Sequence, residues 1–433
     1  MKKTILNTLS IILISSFLFG CANKSEKSVN YTMSIDGYHL VRSIILSRHN
    51  IRSPLSGSDS TLGKITPHSW YNWTSKPSEL SIKGGALEVA MGQYYRKWFE
   101  KEGILSDDFK DQEFDSYFYA NAKQRTMATA RYFASGLLPT MNPEIHINVP
   151  LDTMDPVFNP QLTFISDSYI EAAKKEINEM YAKSIEELKD NYSLLSKTID
   201  FKKSELYKSG EFTEFKTDDT EVHLELNKEP YLTGSLKNGC SVSDALTLQY
   251  YEEMDTKKAA FGHKLSLKDW KKITEIKDLY GDVLFSSPLV SVNVARPLLE
   301  QINNAPFNKL TFLCGHDSNI NSVLSALYVK DFELPNSLER KTPIGAKLTF
   351  NVYEDKNGMS YVGVFLVYQN VDQLRNVSML DLDHSPTIVQ LQFKYMQNNE
   401  QGLYNFSDFY NHVFRQINRY DEVKEKYNAS SNV

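Results

Sequence analysis

At 433 residues, with 41% hydrophobic, 12% aromatic and 24% charged residues, the chain can bury a large core, which excludes an intrinsically disordered protein. Its formal net charge of -6 comes without a basic stripe, so no nucleic-acid partner is expected. Three cysteines exclude a cysteine-rich zinc site, and His39, His49 and His68 lack the short helical spacing of a metal pair, so no metal or cofactor is implied.

Lys2 and Lys3 make a short basic start, and residues 5–19 form an apolar run closed by Gly20-Cys21. That is the anatomy of a secretory signal peptide over residues 1–20. Leu18-Phe19-Gly20-Cys21 further resembles a bacterial lipobox, whose cysteine thiol accepts diacylglycerol, although Phe19 is bulkier than the usual residue there. The plain alternative is an ordinary signal peptide ending in a cysteine. The polar Ala-Asn-Lys-Ser-Glu-Lys-Ser that follows reads as a tether, residues 21–36. The expectation is an exported body, lipid-anchored through Cys21 to a bacterial membrane on its periplasmic or cell-surface side. Cys240 and Cys314 remain as either a bridge or two free thiols, which spacing does not decide.

Residues 39–47 read as a strand whose Ile44, Ile45 and Leu46 suit a sheet buried on both faces. A polar loop follows. Leu87, Met91, Tyr94, Tyr95 and Trp98 then recur at helical spacing within residues 81–99. Residues 114–120 alternate as a second strand, and residues 126–135 have helical composition, with Gly136 as the expected stop. Ile170, Ala173, Ile177, Met180 and Tyr181 mark an amphipathic helix, and Ser266 with Asp269 resembles a capping box ahead of Trp270, Ile273 and Leu279. Strand patterns resume at residues 310–314 and 347–353, a helix is expected over 319–328, and Asn357-Gly358 signals a hairpin into residues 361–368.

Strand–helix alternation at both ends predicts an α/β fold, a central mostly parallel sheet flanked by helices, carrying a smaller α-helical insert. The expected division is a core of residues 37–155 and 282–425, an insert of residues 156–281, and a polar tail, 426–433.

Residues 48–54 read Arg-His-Asn-Ile-Arg-Ser-Pro, placed just past a buried strand, where α/β sheets bind their ligands. Arg125 stands between a predicted strand and helix, and His316-Asp317 follows another apolar strand. Each has an ordinary reading by itself: surface ion pairs for Arg48 and Arg52, a helix-start arginine, a helix N-cap for Asp317. Three arginines, two histidines and an aspartate at three strand ends argue for one site. Guanidinium forks match phosphoryl oxygens, so Arg48, Arg52 and Arg125 suit a phosphate monoester, with His316 as a further donor. His49 held neutral can attack phosphorus, and Asp317 can protonate the departing alkoxide and later activate water.

These residues together resemble the histidine acid phosphatases, a branch of the histidine phosphatase superfamily, and most of all its bacterial periplasmic glucose-1-phosphatases. Ser-Arg-His-Asn-Ile-Arg-Ser-Pro-Leu at 47–55 is similar to their pattern; the related phytases usually carry glycine where Asn50 stands. Segments starting at Lys83, Tyr119, Thr153, Leu246, Gly315, Glu339 and Tyr368 agree in kind, so the likeness spans the mature chain. The resemblance implies His49 as nucleophile, Asp317 as proton donor, and Arg48, Arg52, Arg125 and His316 as phosphate ligands. It also implies Glu229, which precedes Pro230, as the contact to a sugar. Fewer cysteines and a lipobox are the departures from the family.

The expected function is therefore an acid phosphomonoesterase acting on small sugar phosphates through a phosphohistidine. A phytase is the alternative within the same chemistry, disfavoured by apolar Leu55 in place of a lysine. A phosphosugar-binding lipoprotein without turnover is the alternative outside it, and it needs neither His49 nor Asp317.

Overall fold

The computed structural model describes residues 31–57, 60–106 and 114–429. The expected signal peptide, Cys21 and most of the tether lie outside the described residues. Tyr38–Arg48 forms β1, followed by the short α1 (Thr61–Lys64), α2 (Ile82–Lys101), β2 (Ser116–Ala120), α3 (Gln124–Leu137) and β3 (Ile145–His146). Helices α4 (Asp167–Glu186), α5 (Lys189–Thr198) and α6 (Glu205–Ser209) come next, then a small hairpin of β4 (Glu221–His223) and β5 (Tyr231–Thr233). Helices α7 (Ser235–Glu252), α8 (Thr256–Ala259), α9 (Leu267–Phe285) and α10 (Pro288–Asn303) lead to β6 (Leu310–Gly315) and α11 (Asp317–Ala326). The chain finishes with β7 (Lys347–Asp355), β8 (Ser360–Tyr368), α12 (Val371–Asn376), β9 (Thr387–Gln390), β10 (Tyr404–Asn405) and α13 (Phe406–Ala429).

The main sheet runs β10-β8-β7-β1-β6-β2-β3, with β9 also on β8. β1, β6, β2 and β3 are mutually parallel, and β7 joins β1 antiparallel. The sheet is thus mixed, with β1, β6, β2 and β3 as its parallel half. Side chains alternate across a strand, so Ile44 and Leu46 face a core made with α10, α11 and α13, while Ile45 faces the core made with α2 and α3. A third core, around Ile177, Tyr192, Leu246, Trp270 and Ile276, holds the helices between β3 and β6. Helix α9 begins with the full Ser266–Asp269 capping box and runs without a break across residue 281, where a boundary was expected. Gly358, at φ +76°, turns β7 into β8.

Three local expectations need correction. Residues 31–36 are not all tether: Met33 is fully buried, and its carbonyl accepts from the Tyr353 hydroxyl. The tail begins later than residue 426, because α13 continues to Ala429 and the Tyr427 carbonyl accepts from Ser166 and Ser168. Gly136 does not stop its helix. It lies inside α3 against Gly92 of α2, where a Cβ on Gly136 would stand 2.1 Å from the Val89 carbonyl oxygen and one on Gly92 2.2 Å from that of Phe133.

Helix propensity alone would make Gly136→Ala stabilising by about 1 kcal/mol. Helix contact reverses the sign: we expect a loss of about 1–3 kcal/mol from overpacking, read as a lower urea midpoint. An unchanged or higher midpoint would show that the two helices part freely.

Cys240 and Cys314 are free thiols. Among the described residues no helix is long and apolar enough to cross a membrane.

Candidate active site

Strand register decides which loops meet. Arg48 at the end of β1 pairs with Gly315 of β6, and Ala120 at the end of β2 pairs with Cys314. The segments that follow, at 49–54, 121–125 and 316–317, therefore open side by side at the carboxyl edge of the parallel half. All six residues expected from the motifs come together there. Five of them, His49, Arg52, Arg125, His316 and Asp317, line a cavity of about 480 Å³, with Glu229 further out. Arg48 is the exception in placement. It lies behind the wall, 1% exposed, with Nη2 3.2 Å from Asp317 and Nη1 3.9 Å from Glu339.

His49 Nδ1 donates to the Asn50 carbonyl at 2.9 Å, which leaves the lone pair on Nε2. Burial and the charges of Arg125 and Arg52 push the ring's pKa well below its ordinary value, so the imidazole is neutral. His316 sits perpendicular to it, ring centroids 5.5 Å apart, at the N-cap of α11. Asp317, whose ordinary reading was that cap, is the first helical residue instead. Asn121 donates to His316 Nε2 at 2.7 Å, so the His316 proton is on Nδ1, 3.5 Å from Arg125 Nη2. Two donors facing each other are satisfied together by one anionic oxygen set against both. Burial and Arg125 keep this ring neutral as well.

Each of the three arginines keeps a buried Nε with no acceptor among the described residues. Unmatched buried donors are costly, and a tetrahedral oxyanion is the acceptor that several guanidinium groups share best. Burial pulls the Arg125 pKa down to about 10, with Arg52 adding to the effect. Asp317 is half-exposed to the cavity. Burial would raise its pKa, but Arg48 and Lys277 outweigh this and hold it well below the ordinary carboxylate range. Burial, and the charge of Asp317, raise Glu229.

Other residues of the site carry no local motif. Asp244 of α7 accepts from Arg52 Nη2 at 3.0 Å, and Lys277 of α9 stands 3.6 Å from Asp278. Burial lifts Asp278 to about 6. One signal existed for Lys277: it falls on the apolar face of its helix, seven residues after Trp270.

The sequence matches the family described as Histidine phosphatase superfamily (branch 2) over residues 39–367. It is 35% identical to a glucose-1-phosphatase of Providencia rettgeri over 375 residues, 84% of this chain and 89% of that protein. It is 36% identical to a glucose-1-phosphatase of Salmonella typhimurium, over 83% of this chain and 88% of the other. Among solved structures, the apo form of the Hafnia alvei phytase superposes with a TM-score of 0.78 at 26% identity, covering 88% of this chain and 98% of that one.

Proposed function

The chain belongs to branch 2 of the histidine phosphatase superfamily and is a phosphoric monoester hydrolase; we propose that its substrate is a sugar phosphate of the glucose 1-phosphate kind. His49 Nε2 attacks phosphorus in line, and the bond to the ester oxygen breaks as Asp317 protonates the departing alkoxide. Water then gives a proton to the Asp317 carboxylate and its oxygen to phosphorus. The P–N bond breaks, returning neutral His49 and inorganic phosphate. Arg52, Arg125 and His316 hold the phosphoryl oxygens, and Arg48 binds from behind while orienting Asp317.

Choice of leaving group rests on one observation, the charge balance of the outer cavity wall. Glu229, Asp244, Asp278 and Asp282 share it with Lys237, Lys277 and Lys341. Lys277 already meets Asp278 at 3.6 Å, Lys341 meets Asp282 at 2.7 Å, and Arg52 meets Asp244. An inositol polyphosphate would find most of these cations already taken, and the Glu229 carboxyl facing its remaining phosphates, a wall set against it. A neutral sugar instead offers hydroxyls, which carboxylates accept. The proposed helical insert, residues 156–281, contributes Glu229, Asp244, Lys277 and Asp278 to this wall and so would set substrate choice.

The test is phosphate release from glucose 1-phosphate and phytate in parallel, with EDTA present. Faster release from glucose 1-phosphate is expected. Glu229→Ala should lower kcat/KM for that sugar about tenfold while sparing p-nitrophenyl phosphate. Faster release from phytate would move the function to inositol phosphates.

The N-terminal basic, apolar and Gly20-Cys21 pattern supports export and attachment of lipid at Cys21.

A further inference from the structure

Beneath His49 lies an ion pair that the chemistry above does not use. Glu88 of α2 and Lys347, the first residue of β7, are both fully buried, with Lys347 Nζ 2.9 Å from each Glu88 carboxylate oxygen. Such pairs are not a cheap source of stability, because desolvation offsets most of the attraction and an apolar pair of similar volume often does as well. What they supply is geometry, and here the remaining valences all point at the nucleophile's loop. Asn50 Nδ2 donates to Glu88 Oε1 at 2.7 Å, and Lys347 Nζ donates to the Gly345 carbonyl at 2.8 Å. Gly345 in turn donates its N–H to the His49 carbonyl at 3.2 Å. At φ +70° it packs so closely that a Cβ would stand 2.4 Å from Asn50 Nδ2. On the other side, the Asn50 N–H donates to Thr129 Oγ1 at 3.2 Å, and its Oδ1 accepts from Ile51 N at 2.8 Å.

We propose that Glu88 and Lys347 are positioning residues for the phosphoryl transfer: acting through Asn50 and Gly345, they hold the peptide whose carbonyl fixes the tautomer of His49. The Asn50 carbonyl is the acceptor that keeps the imidazole proton on Nδ1. Rotation of that peptide frees the proton to settle on Nε2, and a ring protonated at its attacking atom cannot bond phosphorus. Lys347 Nζ, bonded to both carboxylate oxygens, opposes the upward push of burial on Glu88 and so helps keep Oε1 a charged acceptor for Asn50. The proposal rests on His49 as the nucleophile, a reading that stands or falls separately on His49→Ala.

Two variants test it. Glu88→Leu/Lys347→Met replaces the pair by apolar groups, an exchange that is often neutral for stability, and removes the anchor for Asn50. Asn50→Ala cuts the same link without touching the pair, at a residue whose φ is not positive. For both, kcat should fall about 10²-fold, the size of loss that a misplacement of about 1 Å brings, with KM nearly unchanged. The His49 ¹⁵N resonances should move from a single Nδ1–H form to a predominantly Nε2–H form, since only the residual Nδ1–H fraction can then attack. A merely structural pair predicts lowered melting temperature without that spectral change. Parental kcat in either folded variant overturns the proposal, and so does a loss of kcat with the Nδ1–H form intact. Should the double variant not fold, Asn50→Ala decides by the same two readouts.

Discussion

His49→Ala is expected to lower kcat by about 10⁴-fold or more, since a nucleophile's loss removes the covalent route and leaves only what binding and charge stabilisation supply. Its ring is not part of the apolar core, so the variant should melt close to the parent. Phosphate affinity should persist, because Arg52, Arg125 and His316 reach the cavity independently of it. Quenching the parent in alkali during turnover of a ³²P-labelled ester should trap label on His49, where the phosphoramidate survives base and is lost in acid. The alanine variant should trap none. Retained turnover, or label on another residue, would remove the nucleophile from the scheme. Burial and three neighbouring arginines depress the His49 pKa. For a base, this means the neutral, attacking form persists as pH falls below the ordinary histidine range, so acid should not switch the nucleophile off.

Asp317→Asn is the second large effect, and it should depend on the leaving group. General acid catalysis is worth about 10²–10⁴-fold, and that much should be lost for an alkyl ester such as glucose 1-phosphate. A phenolate leaves without help, so p-nitrophenyl phosphate should lose far less. Equal losses on both esters would assign Asp317 a charge role and not proton donation. The pH sign follows from the same residue. Arg48 and Lys277 hold Asp317 low against the effect of burial, so in the free enzyme it is ionised across the working range. The proton it donates must arrive with a monoanionic ester, whose negative charge also raises the carboxyl once bound. As pH rises through the second ionisation of the ester, about 6, that proton is gone and kcat/KM should fall. A parental maximum near pH 8 would contradict this account.

Much of this was readable before any fold was known, because it is local. The buried run of β1, the Arg-His-x-x-Arg-x-Pro segment and the His316-Asp317 pair are each a few consecutive residues, and an apolar strand running into a polar turn announces a sheet's carboxyl edge. Family likeness then supplied Glu229, which borders the cavity. Where a local stop signal misled, the cause was a contact between distant parts: Gly136 has the chemistry of a helix stop, but α2 lies against it.

Composition and local pattern thus determined the kind of fold, the residues proposed to bind phosphate and the chemistry they suit. Tertiary structure alone decided their partners: Asp244 for Arg52 across 192 residues, Lys347 for Glu88 across 259, and two free thiols where a bridge had been open. The physical reason is that strand order and helix packing are set by non-local burial. A charged side chain carries no mark of its partner until the sheet has brought β1, β6 and β7 together and water has been excluded between them.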